Sequence, residues 1–143
     1  MFTESDPNPL EENVVSQIID SSALTKYAAK ERDWAKIEGY LASADSLELA
    51  LIETSNALWK KIQKKEIDLE STKKIVQILS DSVWFLDQRK YVARALEIAA
   101  KHHITVYDSV FVACAEMENS DLISCDGRQI EVAEELGIKT ISV

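Results

Sequence analysis

Val15-Ser16-Gln17-Ile18-Ile19-Asp20 is a short apolar run that stops at an acid, and it reads as a β-strand ending in a carboxylate. Leu122-Ile123-Ser124-Cys125, stopping at Asp126, reads the same way near the other end of the chain. What lies between and after these two runs decides how their strands are joined.

Downstream of Asp20 the stretch from Ser22 to Tyr40 is helical in composition, with Gly39 as a punctuation point. Leu47-Glu48-Leu49-Ala50 is expected as a second strand running into a helix through about Lys65. On that helix Leu51, Ser55, Leu58 and Ile62 share one face, and Glu53, Asn56 and Lys60 line another. A further helix is expected from about Leu69 to Leu79, with Ile75, Ile78 and Leu79 at core spacing, then a third strand at Val83-Trp84-Phe85-Leu86. Val92, Ala95, Leu96 and Ala99 recur at i, i+3, i+4 and i+7, an amphipathic helix. Tyr107, Val110, Phe111, Cys114 and Met117 mark the next. After Asp126 a helix runs to Leu136, closed by Gly137, and Ile138 to Val143 forms the last strand. Strands separated by helices imply an α/β fold, with a central parallel sheet of four to five strands covered on both faces.

Upstream of the first strand, residues 1–16 carry both prolines, many acids and few core formers, and are expected to be a flexible extension before a domain spanning 17–143. A chain of 143 residues suits one domain with one core, and its 46% hydrophobic and 29% charged content is ordinary for a globular protein. No apolar run approaches the ~20 residues of a membrane span, and the N-terminus lacks the pattern of a secretory signal. A cytoplasmic protein with no membrane association is expected. Cys114 and Cys125 are expected to be buried free thiols, and without CxxC, HExxH or a Cys/His cluster a zinc site is not expected. The net charge of −9 argues against a basic surface that coats nucleic acid. It does not exclude a nuclease, because clustered acids that bind divalent cations reverse their own local field.

Four acids fall where such a cluster could form. Asp20 and Asp126 end strands, at the carboxyl edge of the sheet, where ligands bind near a switch in strand order. Glu53 and Asp108 lie near the starts of helices, which face the same edge. Each also has a plainer reading. Asp20 and Asp126 suit helix N-caps, Thr105-x-x-Asp108 has capping-box spacing, and Glu53 suits a helix dipole. Caps alone do not require all four to share one edge. Two like charges roughly 4 Å apart repel by about 1 kcal/mol in water and about 4 kcal/mol at an effective dielectric of 20. A cluster with no His or Cys suits Mg²⁺ or Mn²⁺, and such ions serve phosphate ester hydrolysis.

Four ordered stretches carry a family resemblance: Ile18-Ile19-Asp20-Ser21-Ser22-Ala23-Leu24, Ile52-Glu53-Thr54-Ser55-Asn56-Ala57-Leu58, Tyr107 to Ala115 with its Tyr-Asp start, and Leu122-Ile123-Ser124-Cys125-Asp126. In this order they resemble the PIN-domain family, particularly the VapC toxins of prokaryotic toxin–antitoxin pairs. The resemblance covers about residues 17–143. It implies a Rossmann-like PIN fold and an endoribonuclease that uses Mg²⁺ or Mn²⁺ to hydrolyse RNA. Asp20, Glu53, Asp108 and Asp126 would be its metal-binding catalytic acids, with Ser22, Asn56 and Ser124 in support. It further implies a homodimer and inhibition by a cognate VapB-like antitoxin. Two features depart from the family pattern: the extension before the first acid is unusually long, and Ser124 stands where Thr is common.

Other residues divide between roles. Lys60, Lys61, Lys64 and Lys65 could reach RNA phosphates or form a solvated helix face. His102 and His103 suit a helix end. Of Trp34, Trp59 and Trp84, Trp59 is the best placed for a dimer or antitoxin contact. Three rival readings compete. A receiver-like module would use Lys139, but Asp20 lacks an acidic neighbour. A haloacid-dehalogenase-type phosphatase needs Asp-x-Asp where the chain has Asp20-Ser21-Ser22. A catalytically inactive PIN binding module is weighed against by the presence of all four acids.

Overall fold

The computed structural model describes residues 16–143; the extension expected over residues 1–16 lies outside them except for Ser16. The Ser16 carbonyl accepts from the Asp121 amide at 3.3 Å, and its hydroxyl lies 2.7 Å from that of Ser120. The described residues form five strands: β1 (Gln17–Ile19), β2 (Ala44–Leu47), β3 (Trp84–Leu86), β4 (Asp121–Ser124) and β5 (Thr140–Ser142). The helices are α1 (Ser21–Ala28), α2 (Ala35–Leu41), α3 (Glu48–Gln63), α4 (Leu69–Ser82), α5 (Val92–His102), α6 (Val106–Met117) and α7 (Gly127–Glu135), with a 3₁₀ turn at Gln88–Tyr91.

The strands form one parallel sheet in the order β3-β2-β1-β4-β5. Ile18 pairs with Asp45 on one side and Leu122 on the other, so β1 is central. Crossovers between parallel strands are right-handed. Winding outward from β1 to β3 therefore lays α1 to α4 on one face, and the return to β4 and β5 lays α5 to α7 on the other. The packing agrees: α1 rests on α3 and α3 on α4, while α5 rests on α6 and α6 on α7. Between the layers Ile18, Ile19, Leu122 and Ile123 are fully buried, as are Leu24, Leu47, Phe111 and Val112. The α/β expectation holds: the parallel sheet, expected with four to five strands, has five among the described residues.

Several local expectations do not. The stretch from Ser22 to Tyr40 is two helices, broken after Ala28, where Lys30 and Asp33 take left-handed backbone angles. Tyr27 and Trp34 meet edge to face across the break at 5.7 Å, and the Lys30 ammonium lies 5.7 Å from the Trp34 ring. Gly39 lies inside α2 and punctuates nothing. The second strand is Ala44–Leu47, not 47–50. Its polar Ser46 is buried because its hydroxyl donates to the Ile19 carbonyl at 2.6 Å. On α5 the core takes Ala95 and Ile98, leaving Val92 and Leu96 exposed, and on α4 Ile78 is exposed beside buried Leu79. Cys114 is buried as expected; Cys125 is exposed, since it follows the last residue of β4 at the sheet edge. Gly137 does close α7, at φ +78°.

Helices α5 and α6 are also tied by charge. Arg94 donates from Nε and Nη2 to both carboxylate oxygens of Glu116, at 2.6 and 3.0 Å, and from Nη1 to Glu97 at 2.9 Å. Half-exposed pairs of this kind contribute little. Arg94→Ala is therefore expected to cost about 1 kcal/mol or less, and thermal melts in low and high salt should show the difference shrinking as salt rises.

Candidate active site

From β1 the chain winds to β2 and β3 on one side, then crosses back to place β4 on the other, so the strand order reverses between β1 and β4. In open α/β sheets a crevice opens at the carboxyl ends of the strands that flank such a reversal. Asp20 directly follows β1, and Asp126 lies two residues beyond β4.

Asp20 is 1% exposed and N-caps α1. Its Oδ1 accepts from the Ala23 amide at 2.9 Å and the Ser22 hydroxyl at 2.7 Å, and its Oδ2 accepts from the Ser124 hydroxyl at 2.5 Å. The two serines are 3.3 Å apart, and the Cys125 amide donates to Ser22 Oγ at 3.1 Å. Together they bind the loops after β1 and β4 to each other. Asp126 caps α7, its Oδ1 accepting from the Arg128 and Gln129 amides at 3.0 and 3.2 Å. Asp108 sits on the first turn of α6, which Thr105 caps by accepting the Asp108 amide at 3.2 Å. The capping readings are therefore correct for Asp20, Asp126 and Thr105, and they coexist with convergence.

Asp20, Asp108 and Asp126 line one small pocket of about 20 Å³, with Ser21, Ser22, Gln129 and the ring of Phe111 around them. Such a volume holds about one water molecule or one ion. Glu53, on the second turn of α3, stands at its border: its Oε1 accepts from the Ser21 hydroxyl at 2.6 Å. Asn56 does not reach the pocket. It lies with Glu53 along an adjoining groove.

The electrostatics record the crowding. Burial pushes the Asp20 carboxyl up to about 6 despite its three donors, and the nearby Asp126 adds to the shift. Burial raises Asp108, aided by the charge of Asp126. Burial also raises Glu53 against its bond from Ser21, and the charge of Asp108 adds. The charge of Asp126 thus acts on Asp20 and Asp108, and that of Asp108 on Glu53.

Among the described residues no three His, Cys, Asp or Glu side chains are drawn close enough to hold an ion as they stand. Both Asp20 oxygens and Oδ1 of Asp126 are engaged by local donors. The chemistry of the donor set nonetheless fits a hard divalent cation: the acids are all oxygen donors, three of them share a pocket of one-ion size with Glu53 at its border, and no Lys or Arg lines it.

Two residues of this network carried no local signal. Ser21 bonds Glu53, and Gln129 donates from Nε2 to the Asp108 carbonyl at 2.6 Å. Both act on residues far away in sequence, so only the fold reveals them.

The topology also decides against the receiver reading. Receivers carry the order 2-1-3-4-5, whereas here β1 is flanked by β2 and β4. Lys139 precedes β5, at the amino edge of the sheet, and is 78% exposed with its ammonium 4.0 Å from Asp121.

Known proteins resemble this chain in sequence and in fold. Ribonuclease VapC3 of Pyrobaculum aerophilum is 27% identical over 120 residues, covering 80% of this chain and 92% of that protein. Exonuclease VapC9 of the same organism is 28% identical over 112 residues, covering 78% of this chain and 81% of that protein. The crystal structure of PAE2754, also from Pyrobaculum aerophilum, superposes with a TM-score of 0.72 at 23% identity, over 88% of this chain and 83% of that one, and so shares the fold. The family model described as PIN domain matches residues 17–135, from the first residue of β1 to the last of α7. The chain belongs to the PIN domain family.

Proposed function

We propose that this protein is a VapC-like nuclease, an endoribonuclease that depends on Mg²⁺ or Mn²⁺ and is held in check by a VapB-like antitoxin. The observation that carries the reading is the meeting of Asp20, Asp108 and Asp126 in one pocket at the reversal of strand order, with Glu53 at its border. Four chain segments supply these acids, and the repulsion between them is offset by a cation. The names of the two sequence relatives, a ribonuclease and an exonuclease, support nuclease chemistry.

Asp20, Glu53, Asp108 and Asp126 would hold the ion, which when bound supplies a water of lowered pKa and positive charge for the phosphate. The chain's own residues prepare that site. Ser22 and Ser124 fix the Asp20 carboxylate from both sides. Ser21 orients Glu53, and Gln129 ties α7 to the start of α6, keeping Asp126 and Asp108 in step.

Homodimer formation and a cytoplasmic location belong to the same proposal. Trp59, 52% exposed on α3, is the aromatic contact offered to a second subunit or to the antitoxin. Among the described residues no helix is long and apolar enough to cross a membrane.

The test is cleavage of a single-stranded RNA blocked at both ends. Internal fragments in Mg²⁺ or Mn²⁺, and none in EDTA, are expected; an RNA left whole under all conditions overturns the reading. Metal should also stabilise the fold, by about 2.7 kcal/mol at 100 times its dissociation constant. Melting midpoints that are identical in EDTA and in Mn²⁺ would remove the metal from the proposal.

A further inference from the structure

Beside the acid pocket runs an open groove of about 370 Å³, walled by α3 and the start of α6. Its size is at the lower end of the roughly 300–1,000 Å³ usual for small-molecule clefts, enough for one nucleoside-sized group. Tyr107 forms one side and is 63% exposed, although it immediately precedes Asp108 on a helix that is otherwise largely buried. Ile52, exposed too, lines the same groove. An exposed aromatic and an exposed aliphatic side chain lining one groove, each on an element that carries a proposed metal ligand, form a platform without an occupant among the described residues.

The polar lining is equally specific. Glu53, Asn56 and Lys60 follow at i, i+3 and i+7 along α3 and all border the groove. At 1.5 Å per residue they span about 10 Å along the helix, from the acid nearest the pocket to an ammonium at the far end. An amide offers both a donor and an acceptor to the edge of a base, and an ammonium attracts phosphate. Aromatic face, amide and ammonium in sequence match base, base edge and backbone phosphate of one nucleotide. A peptide segment would use the apolar walls but would leave this graded polarity unexplained.

We propose that this groove seats an unpaired nucleotide next to the phosphate being cut, its base stacked on Tyr107 against Ile52, its edge met by Asn56 and its distal phosphate by Lys60. The proposal rests on the nuclease reading above and narrows the substrate to single-stranded RNA, because a base paired in a helix has no free face to stack.

The test compares binding of a short oligoadenylate with binding of the abasic RNA of equal length, by fluorescence anisotropy in EDTA at low salt. The parent protein should bind the base-bearing RNA roughly 5- to 100-fold more tightly. Tyr107→Ala should erase that preference and Tyr107→Phe should keep it, while Lys60→Gln should weaken both probes alike. Melting of all three variants should match the parent, since these side chains are exposed or half-exposed at the groove. A parent that does not distinguish the probes, or a Tyr107→Ala variant that distinguishes them as well as the parent, overturns the nucleotide seat. Cleavage of the same oligoadenylate in Mn²⁺ separates the two proposals. Tyr107-dependent binding without any cutting means that the seat stands and the nuclease reading fails. Cutting with no effect of Tyr107→Ala on binding means the reverse.

Discussion

Asp20→Asn is expected to abolish most RNA cleavage while making the metal-free protein more stable at pH 7. The loss should exceed the roughly 10- to 100-fold that removing a hydrogen-bond partner of a metal ligand costs, because here the anionic ligand itself disappears. Stability moves the other way. The folded Asp20 carboxyl titrates at about 6 against an ordinary value of 3.8, chiefly because it is buried. Between these values the folded protein holds a proton that the unfolded chain has released, so parent stability in EDTA falls as pH rises from about 4 to about 6 and is then level. At 1.36 kcal/mol per unit the difference is about 3 kcal/mol, an upper figure. Asn stays neutral throughout, and its side-chain oxygen still accepts from the Ala23 amide, so the cap on α1 survives. The two melting curves should coincide near pH 4 and separate above pH 6, with Mn²⁺ narrowing the gap by stabilising only the parent. A variant that cuts RNA as well as the parent removes Asp20 from the catalytic set. Melts that stay parallel across the pH range would mean that its carboxylate is hydrated, not buried.

Phe111→Ala should produce the largest loss of stability. Phe111 is 1% exposed on α6, a helix that packs on β1, β4 and α5, and it also lines the acid pocket. Truncating a buried phenylalanine costs about 3–5 kcal/mol through lost burial and the cavity left behind. In a chain of this size that is a fall of roughly 10–20 °C in melting temperature. Phe111→Leu, which refills most of the space, should recover more than half of it. A midpoint within a few degrees of the parent for the alanine variant would contradict the packing of α6 on the sheet.

How much of this was legible in the sequence varies by element. The strands before Asp20 and Asp126, and the helix carrying Asp108, were readable because each has an apolar run, Ile18-Ile19, Leu122-Ile123 and Val110 to Ala115, beside which the acids stand out. The break between α1 and α2 was not. It is made by Lys30 and Asp33 in left-handed conformations, with no proline or glycine to mark it, and is held by the Tyr27–Trp34 contact. Strand β2 was displaced in the reading because Asp45 and Ser46 hide its pattern; Ser46 is buried only because Ile19 supplies its partner. On α5 the face that looked apolar by spacing includes Val92 and Leu96, which the sheet does not cover. The four acids could be named one by one, and Ser22 and Ser124 came with the family resemblance, whereas Ser21 and Gln129 could not be named: Ser21 bonds a residue 32 positions away, and Gln129 one 21 positions away.

The bond between Asp20 and Ser124 joins residues 104 positions apart, and that separation has a consequence for the time at which the acid pocket can form. Chains are made from the N-terminus, and domains settle as their parts become available. A chain emerging from the ribosome with β1 to β3 complete has Asp20 and Glu53 but neither β4 to stand beside β1 nor Asp126 to close the pocket. The pocket is complete only when the segment carrying β4 and Asp126 has been released, so translation stalled before that point leaves a fragment without it.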